Sequence, residues 1–271
     1  MIDRGTLSDW RKHAPWVDAT QIEQDLVISR ALIEIYNHPL LKKELAFRGG
    51  TALQKCFFEN PTRYSEDIDL VQIKKGAIGE ISNALHDTLN PWLGQPSVKR
   101  WAERLTFSYR FISTERNERM RLKIEINTAE NYNFLDFMEK TFVVDSDWYA
   151  GQTAIKTYQI DEIMSSKLCA LYGRKKGRDL FDLARAIEML PLNIERVLQC
   201  FRDYLARYEK KISRAEFEDN LHKKRNSDVF RQDILPLLPA DQQHDFNHDF
   251  ELVMDRIIAK LPGAPWNGLK E

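Results

Sequence analysis

Apolar residues recur at three- and four-residue spacing from 21 to 36, where Ile22, Leu26, Ile28, Leu32, Ile33 and Ile35 predict one face of a helix. Pro39 breaks that pattern, and a short apolar step, Leu45-Ala46-Phe47, runs into Gly49-Gly50. TALQKCFF then reads as the first turns of another helix with Thr51 near its start, and the loop ENPTRYSE leads to a compact strand, Ile68-Asp69-Leu70-Val71. Residues 78–90 predict a helix closed by Pro91 and Pro96. Beyond it the period falls to two. Leu105, Phe107, Tyr109 and Phe111 alternate with polar residues, as do Leu122, Ile124 and Ile126, and STERNERM between them supplies turn chemistry for a hairpin. TFVVD at 141–145 adds a further strand. From about residue 160 the helical period returns in five segments, beginning with IDEIMSSKLCALYG and DLFDLARAIEML. The pattern predicts an α+β protein: a mixed domain over 1–155, then a helical domain over 156–271.

Composition narrows the class without naming a function. Hydrophobic residues make up 43% of the 271 positions, enough for a packed core. Forty Lys and Arg against forty-one Asp and Glu leave a net charge of -1, so any basic surface must be local. Cys56, Cys169 and Cys200 are widely spaced and form no CxxC pair, which argues against a zinc site or disulfide framework and for a reducing compartment. The first thirty residues carry charges throughout and no long apolar run, so a cytoplasmic protein without a membrane span is expected.

The densest polar cluster is Arg63-Tyr64-Ser65-Glu66-Asp67-Ile68-Asp69, downstream of Phe47-Arg48-Gly49-Gly50. Two residues apart on a strand, Asp67 and Asp69 emerge on the same face. Side-by-side carboxylates repel unless a cation lies between them. Mg²⁺ or Mn²⁺ fits, because such an ion takes one or two carboxylates together with phosphate oxygens. Alone, the pair reads first as a solvated edge-strand face or an acidic turn. Gly49-Gly50 supplies the complementary half, since glycines allow close backbone approach and the following helix offers free N–H groups to a triphosphate. Ser65 and Thr51 add hydroxyls, and Lys55, one turn on, a counter-charge. Glu125, flanked by Ile124 and Ile126, is either a third metal carboxylate or an exposed strand residue paired with Lys123.

A second block runs from Lys167 to Asp182 and contains Gly173, Arg174, Gly177 and Arg178. In one unbroken helix its ends would lie roughly 22 Å apart at about 1.5 Å per residue. The two glycines break the helix, so both ends can fold toward one cleft, with a second helix starting near Asp179. Lys167 could then contact phosphate oxygens, Arg174 or Arg178 could steady a polyphosphate, and Asp182 could accept a proton from an attacking hydroxyl. The competing reading makes Asp179 an ordinary N-cap, Asp182 a first-turn dipole partner and the basic residues a solvated turn or an RNA patch.

FRGGTALQK followed by RYSEDIDL resembles the opening motif of the AbiEii/AbiGii toxin nucleotidyltransferases, relatives of the DNA polymerase β superfamily, and KLCALYGRKKGRDLFDL resembles their second signature. The likeness spans roughly residues 10–190. It implies a polymerase β-like mixed sheet and a bacterial toxin of a toxin–antitoxin or phage-defence system, with a cognate antitoxin as partner. It also implies a nucleoside triphosphate bound with Mg²⁺, and transfer to an RNA acceptor such as the tRNA 3′ end. Gly49, Gly50, Ser65, Asp67 and Asp69 match the first signature. Lys167 and Asp182 match the phosphate-binding lysine and catalytic aspartate of the second. Transfer to a small molecule or protein side chain, or nucleotide binding without catalysis, are the alternatives.

Overall fold

The computed structural model describes residues 2–268. Two compact units divide the chain: Met1–Tyr158 with Leu238–Ala240, and Gln159–Leu237 with Asp241–Glu271.

The first unit opens with α1 (Arg4–Trp10) and α2 (Ala19–Asn37). Asp18 starts α2 by accepting the Thr20 N–H, satisfying a backbone donor that the first turn leaves open. Ile22, Leu26, Ile28, Leu32 and Ile35 are buried, as the spacing predicts. His38 ends α2 and caps α3 (Pro39–Glu44), where proline is tolerated because a first-turn N–H has no helical partner. Then follow β1 (Leu45–Arg48), α4 (Gly49–Cys56), β2 (Asp67–Gln72) and α5 (Gly79–Leu93). Pro91 does not close α5 as expected. The helix runs through it to Leu93, and Gly94, at φ +77°, makes the stop by donating its N–H to the Asn90 carbonyl. A proline near the C-terminal end removes one helical hydrogen bond without preventing the last turn from forming.

β3 (Ser97–Trp101), β4 (Arg104–Ile112), β5 (Arg119–Asn127), β6 (Met138–Asp145) and β7 (Ala150–Thr157) complete the unit. Among the described residues seven strands form one mixed sheet in the order β3-β4-β5-β2-β1-β7-β6. The β2–β5 and β1–β7 pairs are parallel and the others antiparallel. Leu105, Phe107, Tyr109, Leu122, Ile124 and Ile126 are buried on one face of β4 and β5. There the His86 and Phe107 rings meet edge to face, and the Tyr109 hydroxyl donates to Asn90 of α5. Each such side chain contributes about 1.5–3 kcal/mol on burial, which fixes the register and sends Thr106, Ser108, Lys123 and Glu125 to the opposite face.

The second unit holds α6 (Ile160–Gly173), α7 (Gly177–Met189), α8 (Ile194–Arg207), α9 (Arg214–Arg225), α10 (Asp228–Gln232) and α11 (Phe246–Arg256). Leu168, Leu180, Phe201, Phe217, Phe230 and Phe250 pack its core. Arg174 adopts extended backbone after Gly173, ending α6. α7 starts at Gly177, two residues before the expected Asp179, and the position needs glycine because a Cβ there would strike the carbonyl oxygen of Phe230. No helix among the described residues is long and apolar enough to cross a membrane.

Candidate active site

β2 carries Asp67 and Asp69 on one face, with Ile68 and Leu70 buried on the other. Parallel pairing with β5 sets Lys123 beside Asp67 and Glu125 beside Asp69, while antiparallel β1 sets Arg48 beside Asp69. Lys123 Nζ lies 3.3 Å from Asp67 Oδ2 and also contacts Glu125, whose Oε1 is 2.8 Å from Arg104. Arg48 is directed to Glu130 at 2.6 Å. Among the described residues Asp69 therefore has neither a hydrogen bond nor an ion pair. Burial, then the charge of Asp67, push its carboxyl above the usual carboxylate range against the pull of Arg48.

No three His, Cys, Asp or Glu side chains converge to ligate one ion among the described residues. Glu125 pairs with Lys123, one of its two expected roles, and Arg104 also engages its carboxylate. What remains is a same-face pair in which one anion lacks a partner. Two hard oxygen donors with an unbalanced negative charge fit Mg²⁺ or Mn²⁺, which completes its shell with water and phosphate oxygens.

α4 begins beside this pair. Its N-cap, Arg48, makes no side-chain capping bond, so the first-turn N–H groups have no side-chain acceptor from that position. Gly49 has φ +85°, and a Cβ there would run into Asp69 Oδ2. At Gly50 a Cβ would lie 2.6 Å from the Arg63 guanidinium and 2.9 Å from Ser65 Oγ. Only a bare backbone lets the turn approach the carboxylate and the serine together. Gly49→Ala is expected to lower unfolding stability by about 1–2 kcal/mol through the left-handed conformation. It should also displace Asp69 and reduce transfer; denaturant unfolding and an activity assay on one preparation check both.

Thr51 is buried and serves the loop: its Oγ1 donates to the Asp67 carbonyl at 2.5 Å and lies 2.9 Å from Ser65 Oγ. Lys55, expected as a counter-charge for a nucleotide, faces a carboxylate of its own chain. Its Nζ is 2.6 Å from Asp25 on α2, a carboxylate that also accepts from Trp10.

In the second unit, the helix break brings Lys167 Nζ within 2.7 Å of Asp182 Oδ2 and 3.4 Å of Asp179 Oδ1. Asp179 is third in α7, not its N-cap, and accepts two bonds from Arg174 at 2.7 and 2.9 Å. Both aspartate side chains are 0% exposed. Arg178 donates its backbone N–H to Asp233, which also engages Lys176. Lys167, Asp179 and Asp182 thus form a buried ion cluster that the half-exposed Arg174 reaches from its rim. His244 precedes Asp245, the N-cap of α11, whereas His248 lies in its first turn. His244 packs on Phe181, and His248 pairs with Glu188. Lys224 is buried and caps the end of α6 through the carbonyls of Leu171 and Tyr172.

The family described as "Nucleotidyl transferase AbiEii toxin, Type IV TA system" matches residues 30–256. Among solved structures the chain is similar to MenT4, a nucleotidyltransferase toxin from Mycobacterium tuberculosis H37Rv. The TM-score is 0.62 at 16% identity, covering 97% of this chain and 91% of that one. It is also similar to JHP933 from Helicobacter pylori, with TM-score 0.54, 18% identity and coverage of 96% and 94%. At these identities the likeness is one of fold. No curated protein matches.

Proposed function

The chain belongs to the AbiEii nucleotidyltransferase toxin family of type IV toxin–antitoxin systems, and from that premise we propose that it transfers nucleotides from an NTP to an RNA acceptor such as the tRNA 3′ end. The reaction is placed in the cytoplasm, under control of a cognate antitoxin. Supporting this reading most directly is the unpartnered carboxylate of Asp69, beside Asp67 and the bare N-terminal turn of α4.

In this reading Asp67 and Asp69 hold Mg²⁺ or Mn²⁺. The bound ion would neutralise phosphate oxygens and favour charge development on the leaving pyrophosphate. Backbone N–H groups at Gly49 and Gly50 receive the polyphosphate, favoured by the helix dipole. Ser65, fixed by Thr51, offers a hydroxyl to it, and Lys123 keeps Asp67 oriented. Lys167 and Asp182 of the second signature are assigned to phosphate neutralisation and proton acceptance.

Incubation with each labelled NTP, a divalent ion and total RNA tests the proposal. Label in tRNA-sized RNA is expected for at least one NTP. Label confined to a small molecule or to protein would defeat the RNA reading and leave the enzyme class intact.

A further inference from the structure

Register places a second group of charges on the sheet face that bears Asp67. β4 and β5 pair antiparallel so that Ser108 lies opposite Lys123, Arg110 opposite Arg121 and Ile112 opposite Arg119. Since side chains two apart share a face, Arg121 and Arg119 continue the Lys123 row, about 7 and 14 Å along β5 at roughly 3.4 Å per residue. On the edge strand, Lys99 pairs with Thr106 and Trp101 with Arg104, again on this face. Arg110, Arg119, Arg121 and Lys99 are exposed, and Trp101 is 67% exposed.

Arg110 and Arg121 are the telling pair. Like charges directly opposite one another in an antiparallel sheet are unfavourable, yet among the described residues neither side chain has a salt bridge or hydrogen bond, and neither do Arg119 and Lys99. The carboxylates on this face, Asp67, Asp69 and Glu125, belong to the site already described, and Glu103, Glu115 and Glu118 lie in the flanking turns. Beyond Ser108 and Lys123 the β4–β5 hairpin extends past its β3 and β2 neighbours, and there the arginines stand on the face of the hairpin instead of along its open edges. Guanidinium groups bind phosphate in a bidentate fork, so an opposed, unpaired arginine pair suits an external anion.

We propose that the exposed face of β3, β4 and β5 is the platform on which the RNA acceptor lies, its phosphates on Arg110, Arg119 and Arg121 and an unpaired base stacked on Trp101. This rests on the RNA reading above and specifies the surface that reading requires. RNA accounts for the face better than an acidic protein does. The arginines lie at one end of the face, and the exposed Trp101 ring lies beside Lys99 and Arg104 at the other, about 20 Å away at roughly 3.4 Å per residue; phosphate and stacking contacts spread along one groove hold single-stranded nucleic acid without reading its sequence. The row also leads directly to Lys123 and Asp67.

The test is fluorescence anisotropy of the full chain with a labelled hairpin RNA carrying a single-stranded 3′ overhang, titrated across salt concentrations. Arg110→Ala with Arg121→Ala should weaken binding at least about tenfold at 0.1 M salt. It should also reduce the slope of log K against log salt by about 1.4–1.8, or 0.7–0.9 per phosphate contact. Arg110→Lys with Arg121→Lys should retain the slope, separating charge from folding, and Trp101→Ala should weaken binding with the slope unchanged. An unchanged affinity and slope in the double alanine variant, while wild-type protein still labels RNA, would overturn the platform and leave the proposed reaction standing. Wild-type protein that neither binds nor labels RNA would remove both. If the alanine variant kept its RNA affinity but lost binding to a poly-glutamate peptide, the face would belong to an acidic protein partner and the proposal would fall.

Discussion

Asp67→Ala and Asp69→Ala are each expected to abolish transfer, with a fall of at least about a thousandfold, on the scale of losing a principal electrostatic contact in a transition state. At 1.36 kcal/mol per tenfold, that is about 4 kcal/mol of transition-state stabilisation. The loss should not come from unfolding. The Asp69 carboxylate has no hydrogen bond or ion pair among the described residues and lies beside the like charge of Asp67, so Asp69→Asn removes a repulsion from the metal-free protein. Its thermal midpoint should equal or exceed that of the wild type. Loss of activity with full stability separates a chemical role from a structural one. If the protein is toxic on expression, both alanine variants should also relieve growth arrest. A stable Asp69→Asn protein with wild-type turnover would refute the assignment.

Lys167→Ala should behave in the opposite way, as a folding defect first. It removes the cation 2.7 Å from Asp182, whose side chain is fully buried. Breaking a buried ion pair from one side typically costs 3–5 kcal/mol, because the remaining charge is left in a poorly polarisable interior. A drop in thermal midpoint on the order of 10 °C follows for a unit of this size. Lys167→Met with Asp182→Leu should recover most of that loss, since neither partner then remains as an uncompensated charge. Asp182→Asn keeps the shape and, if Asp182 accepts the proton, should lower transfer by about 10²–10⁴-fold with the fold retained. Denaturant unfolding of the three variants measures the coupling. Additive destabilisation in the double variant would show that the pair is not the energetic unit the structure presents.

Much of the candidate site could be read from sequence because its geometry is local. Asp67 and Asp69 share a face by strand period alone, and the alternation of Leu122, Ile124 and Ile126 turns Lys123 and Glu125 the same way. Gly173 and Gly177 likewise announce the break that lets Lys167 reach Asp182. What escaped depends on distant partners. Lys55 has the right spacing for a phosphate, but Asp25, thirty residues earlier, holds it. Glu125 faces the site yet is claimed by Arg104 on the neighbouring strand. Every residue of β3 is exposed, so no hydrophobic alternation marks it, and pairing with β4 makes it a strand. The arginine rows were present as the polar half of the β4 and β5 alternation, but their opposition appears only once the register is known.

The decisive measurement is anomalous scattering from crystals soaked with Mn²⁺ and a non-hydrolysable nucleoside triphosphate. A manganese peak within bonding distance of both Asp67 and Asp69, with phosphate density against the Gly49-Gly50 turn, is the predicted result. Nucleotide bound elsewhere, with no peak between those carboxylates, would contradict it.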